Sequence, residues 1–177
     1  MISRPTATEY SPYANTYVQL VPDGQDPIEQ LRAQSAEVKL LLAGLTDEQA
    51  LFRYAIGKWS IKESLLHMID TERIFAYRAL RISRGDQTPL PGFEQDDYVP
   101  NSYADARTLA DLLLEYDTVR AATLSLLDSF TAASYERTGV ASGHALSVRA
   151  LAHIIPGHEA HHICLFRERY LPGLTTT

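Results

Sequence analysis

Six histidines are the residues with the most chemistry to offer in this sequence: His67, His144, His153, His158, His161 and His162. Neutral imidazole is a good ligand for zinc, nickel or copper. His158 and His162 are four residues apart in Gly157-His158-Glu159-Ala160-His161-His162. On a helix turning ~100° per residue this spacing stacks two side chains on successive turns, where both reach one ion. Leu151, Ile154, Ile155 and Leu165 mark the apolar stripe of that helix, and His158 and His162 fall within it. Two imidazoles thus stand where core leucines are expected. A buried histidine can also serve as a hydrogen-bonded core residue, but each would then need its own buried partner. The pattern leaves both readings open. His161 lies at the edge of the stripe, His153 points to the opposite side, and His144 lies in a loop.

A metal site needs a third ligand, and His67 on an earlier helix is the candidate. The apolar stripe of that helix runs through Ile61, Leu65, Met68, Phe75 and Ala79, and His67 sits to one side of it. Periodicity therefore does not assign it. Glu63 and Asp70 lie at i−4 and i+3 from His67, as further ligands or as carboxylates that orient its ring. Helix capping already accounts for Glu63. Cys164, the single cysteine, allows no internal disulfide and reads as a small buried hydrophobe. Ser60, Ser142 and Ser147 have no His-Asp context for a nucleophile triad, and no phosphate loop or dinucleotide fingerprint occurs.

Four long helices must position these groups. The first begins at Asp26-Pro27-Ile28-Glu29, a cap, a proline suited to the first position and a capping-box glutamate, and stops before Gly44. Thr46-Asp47-Glu48-Gln49 offers a cap for one short turn. The second opens at Trp59 with Ser60 and Glu63 spaced as a capping box and meets no breaker before Gly85, a length of ~36 Å. Residues 86–101, with Pro89, Pro91, Gly92 and Pro100, form a long connection, and its segment 89–98 is a candidate lid. Leu109, Leu112, Leu113, Tyr116, Val119, Thr123, Leu126, Leu127 and Phe130 place a third helix over 103–130. The fourth runs from Val148, after a Ser147 cap, to Tyr170, with a bend at Pro156. No strand pattern is evident. The fold class is all-α, a four-helix bundle over 26–172 with long crossover connections, an irregular arm over 1–25 and a tail over 173–177.

Two stretches resemble a known family. Trp59-Ser60-Ile61-Lys62-Glu63-Ser64-Leu65-Leu66-His67-Met68-Ile69-Asp70 is similar to the W-S-x-x-E-x-x-x-H-x-x-D opening of the second helix in DinB/YfiT-like proteins. The His158–His162 element resembles the H-x-x-x-H of that superfamily's last long helix. The resemblance implies that His67, His158 and His162 hold a divalent metal, zinc or nickel, with an open position. It further implies a metal-dependent enzyme, either an S-transferase using a low-molecular-weight thiol or a hydrolase using metal-bound water. A non-catalytic stress-response or binding module with a structural or empty metal site is the alternative. Asp70, Glu63, His161 and Glu159 are the residues expected around the site, with Glu159 or the 89–98 segment facing a small-molecule substrate. A homodimer is also implied.

Composition narrows the setting. Sixteen basic against twenty-two acidic side chains give a net charge of −6, which argues against nucleic acid as a partner. The first ten residues lack a signal-peptide core and no run of apolar residues is long enough to cross a bilayer, so a cytoplasmic protein without a membrane partner is the expectation.

Overall fold

A computed structural model describes residues 1–174. Its helices are α1 (Asn15–Val18), α2 (Pro27–Leu42), α3 (Ile61–Ser83), α4 (Gln95–Ser102), α5 (Leu109–Asp128), α6 (Ala132–Tyr135), α7 (Val148–Leu165) and α8 (Leu171–Leu174). Two strands, β1 (Thr138–Ala141) and β2 (His144–Ser147), form a hairpin before α7. Of the tail expected over 173–177, residues 173–174 end α8, and 175–177 lie outside the described residues.

The four long helices are α2, α3, α5 and α7, as an all-α bundle requires. Going round the bundle the order is α2, α5, α3, α7. The consecutive helices α2 and α3 are diagonal partners, and the long 84–108 connection carries the chain between the neighbours α3 and α5. This order sets α3 against α7, which lets His67 meet His158 and His162.

Local signals fix the helix starts. Ser60 accepts from the backbone N–H of Glu63, and Glu63 accepts from that of Ser60 at 2.8 Å, closing the capping box of α3. Asp26 caps α2 through the N–H of Ile28, but Glu29 pairs with Arg32 at 3.5 Å rather than completing a box. Thr46 and Gln49 exchange two such bonds, of 2.9 and 3.1 Å, over one short turn. The third long helix starts at Leu109 rather than 103, because Thr108 caps it and Tyr103 turns left-handed at φ 53°.

Two elements depart from the expectation. The 86–101 connection contains α4, and 138–147 forms the hairpin, so His144 belongs to a strand rather than a loop. Ser142 and Gly143 both have positive φ, 52° and 78°, which is the primed two-residue turn that matches strand twist. The strands are four residues each with little alternation, and Ser-Gly read only as a break.

Residues 1–25 hold a turn of 3-10 helix and α1, and they pack along α7. The contact is tight at Gly157: a Cβ there would stand 2.1 Å from the backbone oxygen of Tyr17. Gly157→Ala is therefore expected to cost ~2 kcal/mol or more in urea unfolding, because backbone rather than a flexible side chain must move. Gly44→Ala, with nothing within 4 Å of the added carbon, is the control and should stay within ~0.5 kcal/mol of wild type.

Candidate metal centre

Three imidazoles meet between α3 and α7. His67 Nε2 lies 3.1 Å from His158 Nε2, and His162 Nε2 lies 3.2 Å from the same atom. One ring nitrogen from each histidine falls within 4.8 Å of the others. Donors ~2.0–2.1 Å from a tetrahedral ion sit ~3.3 Å apart, so the cluster matches the size of a zinc-type shell. All three rings are buried, at 5–7% exposure.

The surroundings keep the rings neutral. Burial pushes His67 down to about 4, with the neighbouring His161 adding to the effect. Burial, followed by repulsion from the other histidines, lowers His158 and His162 well below their ordinary value. Ser64 Oγ stands 3.3 Å from His162 Nδ1, and Thr71 Oγ1 stands 3.5 Å from His67 Nδ1. Trp59 packs on the His67 ring at 4.7 Å between centroids, and Tyr17 meets His158 edge-on at 5.1 Å. Sequence reasoning missed Ser64, Thr71 and Tyr17. Ser64 could have been found one turn before His67, but nothing local points Tyr17 at α7.

The other expected residues go elsewhere. Glu63 is held by the cap and by Arg53, and Asp70 faces Arg73 at 3.5 Å. Hydroxyls, not these carboxylates, stand beside the imidazole Nδ1 atoms. His161 is exposed beside His162, and Cys164 is exposed rather than buried. His153 is on the far side of α7 as expected, yet buried, with its Nδ1 2.9 Å from the Arg149 carbonyl, because the N-terminal segment covers that face. Glu159 does not face a substrate space. It is 3% exposed and bonds to Arg120 and to the Tyr116 hydroxyl.

That bond belongs to a buried ionic network. Arg120 of α5 donates to Glu72 of α3 at 2.8 and 3.1 Å, to Glu159 of α7, and to the Leu31 carbonyl of α2 at 2.8 Å. One guanidinium thus ties all four long helices together. Burial raises Glu159 to about 7 against the pull of Arg120.

Two larger cavities reach the histidines. A cavity of about 440 Å³ touches His158, and another of about 400 Å³ touches His67 and His162. Tyr13, Tyr17 and Gln95 line both.

The sequence matches the DinB superfamily over residues 30–164. The chain belongs to the DinB superfamily. A Geobacillus thermodenitrificans (strain NG80-2) protein named "Putative metal-dependent hydrolase" is 29% identical over 146 residues, 79% of this chain and 80% of its own. A protein of Geobacillus kaustophilus (strain HTA426) with the same description is 24% identical over 140 residues, 78% and 79% of the two chains. Among solved structures, YfiT from Bacillus subtilis is described as "a probable metal-dependent hydrolase with an unusual four-helix bundle topology". It matches with a TM-score of 0.71 over 98% of this chain and 92% of that one, at 15% identity. That likeness is one of fold. Among the described residues of this DinB superfamily chain, no helix is long and apolar enough to cross a membrane.

Two predictions follow from the buried charges. Folded His67, His158 and His162 stay neutral below pH 6.5, whereas the unfolded chain takes up protons there. The unfolded state then binds more protons, so metal-free protein should lose stability as pH falls from about 6.5 toward 4. The slope is up to ~1.4 kcal/mol per pH unit for each histidine. Glu159, raised to about 7, opposes this as one group against three. Urea titrations of chelator-treated protein across that range check the sign. Arg120→Met should cost ~3–5 kcal/mol in the same assay at pH 7.5, since it leaves two buried carboxylates without their cation.

Proposed function

We propose that His67, His158 and His162 hold a divalent cation, zinc or nickel, and that the protein is a metal-dependent hydrolase of small molecules. The observation that carries this reading is the convergence of three buried imidazole nitrogens, of ion-shell dimensions, at the edge of open cavities. With Ser64 Oγ and Thr71 Oγ1 accepting from Nδ1–H, the Nε2 lone pairs of His162 and His67 face inward. His158 Nε2 lies 3.2 and 3.1 Å from those two atoms, a spacing that donors round one cation also have. Three neutral protein ligands also leave a position open, the pattern of catalytic rather than structural zinc.

Bound there, a divalent cation supplies Lewis acidity toward a carbonyl, a water or a thiol. The chain's own residues supply the rest. Depressed imidazole pKa values keep protons from competing for the ligand nitrogens at neutral pH. Trp59 and Tyr17 pack against the His67 and His158 rings and hold them in place. The hydrolase reading draws on the names of the two Geobacillus relatives. A low-molecular-weight thiol would use the same open position, and thiol-dependent transfer belongs in the activity screen.

The test is metal content after dialysis and zinc reloading. Wild type should hold about one zinc per chain, and His158→Ala should bind it more than ~100-fold more weakly, since even an outer partner is worth 10–100-fold. His153→Ala should lose stability but keep its zinc. Equal occupancy in wild type and His158→Ala would sink the ligand assignment.

A further inference from the structure

Arg78 is the second buried arginine of the bundle and the opposite of Arg120. It is 6% exposed, yet among the described residues no carboxylate lies within ion-pair distance of it. Its Nη2 donates to the Pro91 carbonyl at 2.8 Å and to Ser142 Oγ at 3.1 Å. The guanidinium also lies over the rings of Phe75 and Phe93, 5.9 and 5.8 Å from their centroids. Burial lowers its pKa with no opposing acid. Such a cation is costly to bury unless something anionic meets it.

Arg78 lines the cavity of about 440 Å³ that also touches His158. That volume is in the range of small-molecule pockets. Among the described residues no aspartate or glutamate lines it, and Phe75, Phe93, Leu146, Leu151 and Ile154 give it an apolar wall. Arg78 follows His67 by eleven residues, three helical turns, so the two share a face of α3 about 16 Å apart along the axis. The Phe75 ring lies between them, 5.9 Å from the Arg78 guanidinium and 6.1 Å from the His158 ring.

We propose that this cavity binds a small molecule with an apolar body and a carboxylate, its carboxylate on Arg78 and its far end toward the three histidines. Nη2 is committed to Pro91 and Ser142, which leaves Nε and Nη1 of the fork to donate, and a single guanidinium with no lysine among the described lining residues balances a carboxylate monoanion better than a phosphate dianion. The hairpin turn serves the same end: left-handed Ser142 carries the hydroxyl that holds one arm of the fork. The orientation of the ligand rests on the metal-centre reading, whereas its capture by Arg78 does not.

Calorimetry with hexanoate, hexanamide and hexyl phosphate tests the idea on chelator-treated and on zinc-loaded protein, with zinc content measured in the same samples. Hexanoate should bind at least about tenfold more tightly than hexanamide and than hexyl phosphate in both forms. The preference over the amide should vanish in Arg78→Met and shrink in Arg78→Lys, with zinc content unchanged. Equal binding of acid and amide to the wild type, a comparison that needs no variant, would overturn the proposal. So would a preference that survives in Arg78→Met, one that appears only in zinc-loaded protein, or a stronger preference for the phosphate. Failure to load zinc beside an intact hexanoate preference would sink the metal reading alone.

Discussion

Three imidazoles gathered inside a helical core, His67 and His162 each within hydrogen-bond length of His158, form the constraint on which the rest of this structure depends. They can share that space only while neutral. Burial lowers all three pKa values, and each protonation would place like charge against its neighbours. The arrangement demands that α3 and α7 be neighbours, which the bundle achieves by making the consecutive α2 and α3 diagonal. The long 84–108 connection is a consequence of that order.

The second polar element in the core lies one residue further along α7. His158 and Glu159 point ~100° apart, so one joins α3 at the histidines and the other reaches across to α5. Arg120 there meets two carboxylates and a carbonyl, one group from each remaining long helix. Replacing such a network by apolar residues of similar volume is often neutral for stability, whereas removing one partner leaves a buried charge unmet. The network and the histidines lie between two apolar clusters, one including Leu31, Leu127 and Leu151, the other Leu65, Leu112 and Phe166.

The N-terminal segment and the hairpin turn this core into a site. The segment lays Tyr17 against His158 and covers the far face of α7, so that a helix with one expected stripe is buried almost all round. The hairpin sets Ser142 against Arg78 and walls the cavity beside His158. The two larger cavities beside the histidines thus differ in chemistry, one with an apolar wall and a lone arginine, the other lined by Tyr54, Lys58, Asp96 and His161.

By itself the sequence determined what short-range physics controls. Capping at Ser60 and Asp26, the stripe of α5 and the i,i+4 pair His158–His162 are set by residues within a turn or two of each other, and each was legible. His67 was legible only through a family motif, because α3 is packed by α4, α5 and α7 and is buried well beyond the one apolar stripe its spacing shows. Glu159 and Arg120 looked like ordinary charges of helical surfaces, and Arg78 like one basic residue among sixteen. Their burial comes from which helices become neighbours and from where the N-terminal segment and hairpin lie. Those are contacts between residues tens of positions apart, which depend on the whole packing and leave no trace in local spacing. Tertiary structure alone decided which imidazoles converge, which charged groups pair with one another, and that Arg78 meets no acid among the described residues.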